Sequence, residues 1–124
     1  MAKKTKTESV AELFWEGDSL DVVRDFPEGI RKKLGEDIRR VQIGSKPIDS
    51  KPMRSIGAKV FELRQRDGAG WYRTIYLGVV NAKLHILHSF KKKSAKTPAN
   101  DLKIAKDRLK DVRSRLNEEK NKGK

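Results

Sequence analysis

The chain has 124 residues, enough for one domain with a single modest hydrophobic core. It contains no cysteine, which excludes disulfides, thiolate chemistry and a zinc site built from cysteine. Its 30 lysine and arginine residues against 17 acidic residues give a formal net charge of +13, which favours a polyanionic partner, most plausibly RNA or DNA.

Other classes of protein are disfavoured by what the sequence lacks. It has no apolar run of about 18 residues and no signal-peptide pattern, so we expect a soluble, cytoplasmic protein without a membrane partner. His85 and His88 stand three positions apart in a segment with strand chemistry. Side chains at that spacing point to opposite faces of a strand, so no metal site is predicted, and no cofactor.

The chain begins with a charged segment. Residues 1–9 lack apolar spacing and are expected to be a disordered basic N-terminus. The next segment, Val10–Glu16, contains Leu13, Phe14 and Trp15. It predicts a short first strand that ends at Gly17.

Two helices are predicted next. Asp18 or Ser19 can cap the first helix, and Pro27 suits the first turn of the second. In the second helix, apolar residues recur at spacings of four, four and three, which is typical of one buried stripe. These residues are Ile30, Leu34, Ile38 and Val41. Gly44 is expected to follow the end of this helix.

The segment Ser45–Lys59 contains two prolines and scattered serines, which predict a loop. Its basic residues could line one edge of a groove for an anion, or simply be solvated. They are Lys46, Lys51, Arg54 and Lys59.

Three segments between residues 60 and 90 are rich in β-branched and aromatic residues. They read VFELRQ, WYRTIYLGVV and KLHILHSF, and turn residues separate them at 67–70 and 81–82. Connections this short join antiparallel neighbours, because parallel strands need a long crossover. The sequence therefore predicts a three-stranded antiparallel meander.

Alternation along these strands predicts which side chains share a face. Phe61 and Leu63 share one face of the first strand, and Glu62 and Arg64 share the other, which we expect to be open to solvent. Arg73 and His88 alternate in step with apolar residues of their own strands. Both lie near strand ends, where a bulge can re-aim a side chain, so their direction stays open.

A third helix is predicted after Thr97 and Pro98. Its apolar stripe has spacings of three and four and consists of Leu102, Ala105, Leu109, Val112 and Leu116. Residues 117–124 are expected to form a frayed basic tail. The predicted fold is α+β: an N-terminal strand and the meander form a small antiparallel sheet, packed against two N-terminal helices and a C-terminal helix in one domain, residues 10–116. We expect the helices to cover one face and to leave the other concave and basic.

Three of these pieces together resemble a known family. The run LRQRDGAGWYRTIYL, the run LHILHSFKKKSAKTP and the A-x-x-R of Ala105 to Arg108 are similar to the phage-related HigB-like toxins of the RelE superfamily. The resemblance implies a RelE-like domain and a toxin of a type II toxin–antitoxin pair. Such a toxin is an mRNA interferase, an endoribonuclease that cuts mRNA on the ribosome and so arrests translation and growth. The resemblance also implies a helix-turn-helix, HigA-like antitoxin that holds a toxin monomer in a hetero-oligomer.

RNA cleavage without a metal needs a base for the 2′-hydroxyl, a group that stabilises charge on the phosphate, and an acid for the leaving oxygen. Arginine suits the second task because its planar fork binds two phosphate oxygens. The resemblance assigns that task to Arg73, with Arg64 as a second catalytic candidate. His88 is either a general acid or base or a core histidine satisfied by a hydrogen bond.

RNA-binding residues are predicted around the same segment. Lys91, Lys92 and Lys93 are expected to hold phosphates and dock the RNA. Tyr76 could stack on a base or pack across the strands. Glu62 could act as a base, but in this basic setting it is expected to orient Arg64 or Arg73.

Two alternative functions stay open. One is a non-catalytic, basic RNA- or DNA-binding module. The other is inhibition of DNA gyrase, as ParE proteins do on a similar fold. His88 and the FKKK run favour RNA chemistry over gyrase inhibition.

Overall fold

A computed structural model of the chain describes residues 10–92 and 97–122. It contains five strands and three helices in these ranges. The strands are β1 (Glu12–Trp15), β2 (Ser50–Pro52), β3 (Val60–Asp67), β4 (Gly70–Val80) and β5 (Lys83–Lys92). The helices are α1 (Ser19–Arg24), α2 (Glu28–Gln42) and α3 (Ala99–Lys122).

The strands form one sheet in the order β1-β5-β4-β3-β2. The antiparallel meander of β3, β4 and β5 is confirmed. The expectation of a wholly antiparallel sheet is wrong, because β1 pairs with β5 in parallel. The predicted loop over residues 45–59 also contains a short edge strand, β2, antiparallel to β3. The sequence analysis did not predict β2 because it contains a proline, which argues against a strand except at positions such as a sheet edge.

The sheet is covered on both faces, which corrects the expectation of one open face. Helices α1 and α2 pack on one face, where Phe26, Leu34 and Leu63 belong to one hydrophobic cluster. Helix α3 packs on the other face, where Leu109 and Val60 belong to a second cluster. Strand β4 explains this arrangement, because it is apolar on both sides and such strands are buried on both faces.

A β-bulge interrupts the pairing of β4 with β5. Ile75 pairs with His88, whereas the next residue, Tyr76, pairs with Ile86, so Leu87 is an extra residue. On the N-terminal side of this extra residue, the β5 side chains therefore face the opposite side of the sheet from the one that uninterrupted alternation would give them. His85 and His88 therefore both face α3, and the argument that they point to opposite faces is wrong.

The ends of the helices agree in part with the sequence. Asp18 precedes α1, but its side chain makes no capping hydrogen bond. Pro27 directly precedes α2, and Gly44, with φ +83°, follows it, as predicted. Helix α3 continues to Lys122, past the expected start of the tail at residue 117. The predicted disorder of residues 1–9 lies outside the described residues. No helix in the described ranges is long and apolar enough to cross a membrane.

Candidate functional site

The register of the meander brings three of the predicted site residues to one region of the face that α3 covers. Arg64 on β3 stands directly opposite Arg73 on β4. Arg73 in turn stands opposite Phe90 on β5, and Lys92 lies two residues further along that strand. Residues two apart on a strand share a face. Arg64, Arg73 and Lys92 therefore converge, and we call this region the basic corner.

Arg73 is bound to a carboxylate inside the basic corner. Its Nη1 donates to Oε1 of Glu62 at 2.5 Å, and the two residues are 3% and 0% exposed. The Trp71 ring lies 5.3 Å from the guanidinium carbon of Arg73. A buried arginine needs such a counter-ion, because the loss of hydration would otherwise be very costly. The prediction that Glu62 orients an arginine is confirmed, but the prediction that Glu62 faces solvent is wrong.

This ion pair leaves two polar atoms unused. Nε of Arg73 and Oε2 of Glu62 are buried and have no hydrogen-bond partner. Buried polar groups are nearly always hydrogen-bonded, and an unsatisfied one calls for an explanation such as a catalytic role or a bound water. The pair is neutral overall, and it holds the Arg73 guanidinium in place with one N–H donor, Nε, unused.

Arg64 is more accessible than Arg73. Its side chain is 29% exposed, and its Nε and Nη2 donate to Oδ1 of Asp49 at 3.1 and 2.8 Å. Asp49 also accepts a hydrogen bond from the Arg64 backbone N–H through its carbonyl oxygen. A phosphate approaching the basic corner from solvent therefore meets Arg64 before Arg73.

The predicted lysine cluster is divided by the alternation of β5. Lys92 is 5% exposed and faces α3, and its Nζ donates to Oγ1 of Thr97 at 3.4 Å. Lys91 faces the other way and lies over the Tyr72 ring at 5.5 Å. Lys93 lies outside the described residues. Lys91 and Lys92 thus do not belong to one phosphate-binding group, and of these two only Lys92 joins the basic corner.

Burial changes the acidity of Lys92. Its pKa is lowered, first because burial penalises the charged form and second because the Arg73 charge is nearby. The carboxylates of Glu62 and Asp101 act in the opposite direction. A lysine with a lowered pKa gives up its proton more readily, which suits an ammonium that takes part in proton transfer.

His88 adjoins the basic corner and is engaged at both ring nitrogens. Its Nε2 is 2.7 Å from Oδ1 of Asp101, and its Nδ1 is 3.5 Å from Nη1 of Arg108. The ring is stacked on Phe90 with centroids 5.3 Å apart. His88 is 5% exposed. Of the two roles left open for it, the structure favours the hydrogen-bonded core histidine.

Tyr76 does not belong to the basic corner. It lies on the opposite face of the sheet, is 5% exposed and stacks on Phe61 with centroids 5.6 Å apart. Burial, with a contribution from Asp37, raises the pKa of Tyr76 to about 12. Of the two roles left open for Tyr76, the structure supports cross-strand packing.

Sequence reasoning missed several residues that complete the site. Asp49 binds Arg64 and Asp101 binds His88. Lys51, for which the sequence left open an anion groove or solvation, stands opposite Glu62 on the edge strand. Arg108 entered the sequence analysis only as the arginine of the A-x-x-R motif, with no role assigned to it. The fact that Asp101 lies in the first turn of a helix does not single it out, because acidic residues are common there for reasons of helix stability.

The acidic and histidine side chains of the site do not form a cation-binding cluster. Across residues 10–92 and 97–122 there is no group of three or more histidines, aspartates and glutamates that could hold a metal ion. Arg64 and Arg73 are instead paired with the carboxylates of Asp49 and Glu62.

Comparisons with known proteins agree with this architecture. Residues 21–110 match the family described as phage derived protein Gp49-like. No curated protein matches the sequence. Among solved structures, the chain is similar to a chain of the intact Escherichia coli RelBE toxin–antitoxin complex, with a TM-score of 0.52 and 14% identity. The match covers 68% of this chain and 99% of the other. At this identity the likeness shows the fold alone, and it confirms the predicted RelE-like α+β fold.

Proposed function

The chain belongs to the family of phage-derived Gp49-like proteins, and from that premise we propose that it is the toxin of a type II toxin–antitoxin pair. The similar chain among solved structures comes from a toxin–antitoxin complex. The match covers nearly the whole of that chain, so the shared part is a complete domain and not a common fragment. We place the protein with the HigB-like members of this group on the motifs between Leu63 and Arg108.

The specific activity we propose is endonucleolytic cleavage of mRNA on the ribosome. The observation that carries it is the basic corner, where Arg73 is held by Glu62 directly opposite Arg64 and next to Lys92. A concentration of fixed positive charge is what the transition state of phosphodiester cleavage requires, because negative charge builds up on the phosphate oxygens.

The reaction we propose is attack of the ribose 2′-hydroxyl on the adjacent phosphorus, with departure of the 5′-oxygen. Arg64 attracts the phosphate at the solvent edge, and Arg73 stabilises the additional negative charge. The proton lost by the 2′-oxygen passes to solvent water, and the 5′-oxygen takes up a proton from Lys92, whose lowered pKa suits it to proton transfer.

The partners follow from the same proposal. The net charge of +13 favours binding to the RNA of the ribosome and its message. A helix-turn-helix antitoxin is the expected protein partner and would hold the toxin inactive in a hetero-oligomer. A reading frame for such a protein next to this gene would support the assignment.

One observation favours a second function. Arg73 and His88 are both about 95% buried or more and are both bound to carboxylates, Glu62 and Asp101. Such pairs are also what a stable, non-catalytic RNA- or DNA-binding module contains. In that case positive charge on the surface would bind the nucleic acid, and no strand would be cut.

Induced expression in a bacterial host tests the proposal. We expect growth arrest, new 5′ ends within open reading frames and unchanged plasmid supercoiling, and Arg73→Ala should abolish the first two. Arg39→Ala, on the exposed face of α2, is the matched control and should remain toxic. Growth arrest with altered supercoiling would support gyrase inhibition instead. Intact mRNA in cells with well-folded protein would support the binding module.

A further inference from the structure

The bulge in β5 exposes a backbone carbonyl that a side chain from α3 binds. Leu87 is the extra residue of the bulge. Its carbonyl oxygen accepts a hydrogen bond from Nη1 of Arg108 at 3.0 Å. The same nitrogen lies 3.5 Å from Nδ1 of His88, the next residue of the strand. Arg108 therefore contacts the backbone and the imidazole at the point where the strand reverses its alternation.

Arg108 is anchored from a second direction. Its Nη2 donates to Oδ1 of Asp18 at 2.8 Å, and this hydrogen bond is the main reason that the pKa of Asp18 is lowered. Asp18 precedes helix α1 but does not cap it. Asp18, one of the two residues that the sequence offered as a helix cap, instead directs its carboxylate at Arg108.

The backbone next to Asp18 leaves room for the guanidinium. Gly17 has φ +55°, and a Cβ atom built there would lie 2.3 Å from Cζ of Arg108. A side chain at position 17 would displace the guanidinium of Arg108, and a positive φ already disfavours residues other than glycine. Gly17, Asp18 and the bulge therefore all determine where Arg108 lies.

The chemistry of arginine then determines the proton position on His88. A guanidinium carries five N–H donors, has no acceptor and stays protonated in proteins. Nδ1 of His88 can interact favourably with it only as an unprotonated acceptor. The ring proton must then be on Nε2, which donates to Oδ1 of Asp101 at 2.7 Å.

We propose that Arg108 is a positioning residue that holds neutral His88 with Nδ1 unprotonated and Nε2–H donated to Asp101. The tautomer of His88 does not depend on the proposed function. Only the role given to His88 in RNA cleavage rests on that function. Because both ring nitrogens are engaged and the ring is 5% exposed, His88 does not exchange protons with the RNA. Its part is to fix the start of α3 beside Arg73, and proton transfer is left to Lys92.

The tautomer can be read directly by long-range ¹H–¹⁵N correlation spectra of the full chain with ¹⁵N-labelled histidine. At alkaline pH we expect His88 to show an unprotonated Nδ1 and a protonated Nε2. Arg108→Met, which keeps length but removes the donors, should produce a mixture of the two tautomers. The control, Arg113→Met, alters a neighbouring arginine that donates to the Ala58 carbonyl and should leave the His88 signals unchanged.

A second, milder variant keeps the test decisive even if Arg108→Met does not fold. Asp18→Asn removes the charge that anchors Arg108 from the surface side and should move His88 part of the way towards the mixture. A wild-type His88 protonated on Nδ1 would overturn the proposal. So would an unchanged Nε2–H tautomer in both folded variants.

An activity measurement separates this inference from the proposed function. Glutamine can place an amide N–H near the position of Nε2, so His88→Gln should keep cleavage within about tenfold of wild type if His88 only positions Asp101. A loss of about 100-fold or more, as expected for a lost acid or base, would overturn the positioning role. If the wild-type protein cuts no RNA, the proposed function fails, and the spectra still decide the tautomer.

Discussion

Arg64 and Arg73 stand directly opposite each other on adjacent strands, yet each is bound by a different carboxylate. Arg73 is bound by Glu62 in the interior, and Arg64 is bound by Asp49 near the surface. Like charges at opposed positions of a sheet destabilise it, so each arginine depends on its own counter-ion. A phosphodiester bound between the arginines could accept hydrogen bonds from both of them, whereas each carboxylate binds only one.

Glu62→Gln should destabilise the protein strongly. The change leaves Arg73 charged and buried without a counter-ion, for which we expect a loss of about 3–5 kcal/mol in the free energy of unfolding. Urea denaturation measures it, with Glu36→Gln on the exposed side of α2 as control. The double variant Glu62→Leu/Arg73→Met should recover most of the loss. A single variant as stable as wild type would contradict a buried ion pair.

Lys91 and Lys92 should respond differently to substitution, because they face opposite sides of the sheet. Lys92→Met should reduce the rate of RNA cleavage by about 100-fold, the usual effect of a lost acid or base. Lys91→Met should leave that rate unchanged. It should only make RNA binding less sensitive to salt, by the amount expected for the loss of about one phosphate contact. Single-turnover cleavage and binding at several salt concentrations distinguish the two effects. Equal losses in both variants would indicate a shared docking role.

Tyr76 should ionise far above the ordinary range. A titration of tyrosinate absorbance should show one group with a pKa of about 12, and this group should be absent in Tyr76→Phe. Because the pKa is raised above its ordinary 10.0, the native state keeps this proton longer than the unfolded chain does. The contribution of Tyr76 to the free energy of unfolding is therefore fully present below about pH 10. It declines as the pH rises towards the raised pKa. A single transition near pH 10 for both tyrosines would contradict the burial of Tyr76.

Glu16 should contribute stability that acid removes. Burial acts to raise its pKa, but hydrogen bonds from His85 and Arg115 lower it overall below its ordinary 4.5. The contribution is therefore present above pH 4.5 and is lost as the pH falls through the lowered value. Since Arg115 is half exposed, we expect Glu16→Gln to cost about 1–2 kcal/mol at neutral pH.

The test is a comparison of unfolding free energies at neutral and acidic pH. Wild type should lose more stability on acidification than Glu16→Gln, so that the two curves approach each other. Glu118→Gln, at an exposed position of α3, should follow wild type throughout. If the unfolding free energies of Glu16→Gln and wild type changed in parallel with pH, Glu16 would have the same pKa in the folded and unfolded states, which would contradict the prediction.

Local sequence signals predicted the elements of the fold well. The meander, α2 and its terminator Gly44 follow from residue type and spacing, which act over a few neighbouring residues. The parallel pairing of β1 with β5 could not be predicted in this way, because it joins segments about 70 residues apart. The short edge strand β2 was missed because its proline argues against a strand.

The arginines of the site and one counter-ion, Glu62, were predictable from the sequence, but the other partners were not. Arg64 and Arg73 stand out by sequence, and Glu62 was expected to orient one of them. The direction of His88 depends on one extra residue in β5, which no local pattern reveals. Its partners Asp101 and Arg108 come from a helix whose position is set by packing, so they appear only in the folded structure.

The most direct test of the proposed activity is primer extension on mRNA from a translating extract to which the purified protein has been added. The account predicts discrete cuts within the reading frame that require translation and disappear with Arg73→Ala, while Arg39→Ala cuts as wild type does. Intact mRNA in the presence of folded wild-type protein, or cutting that persists in Arg73→Ala, would contradict it.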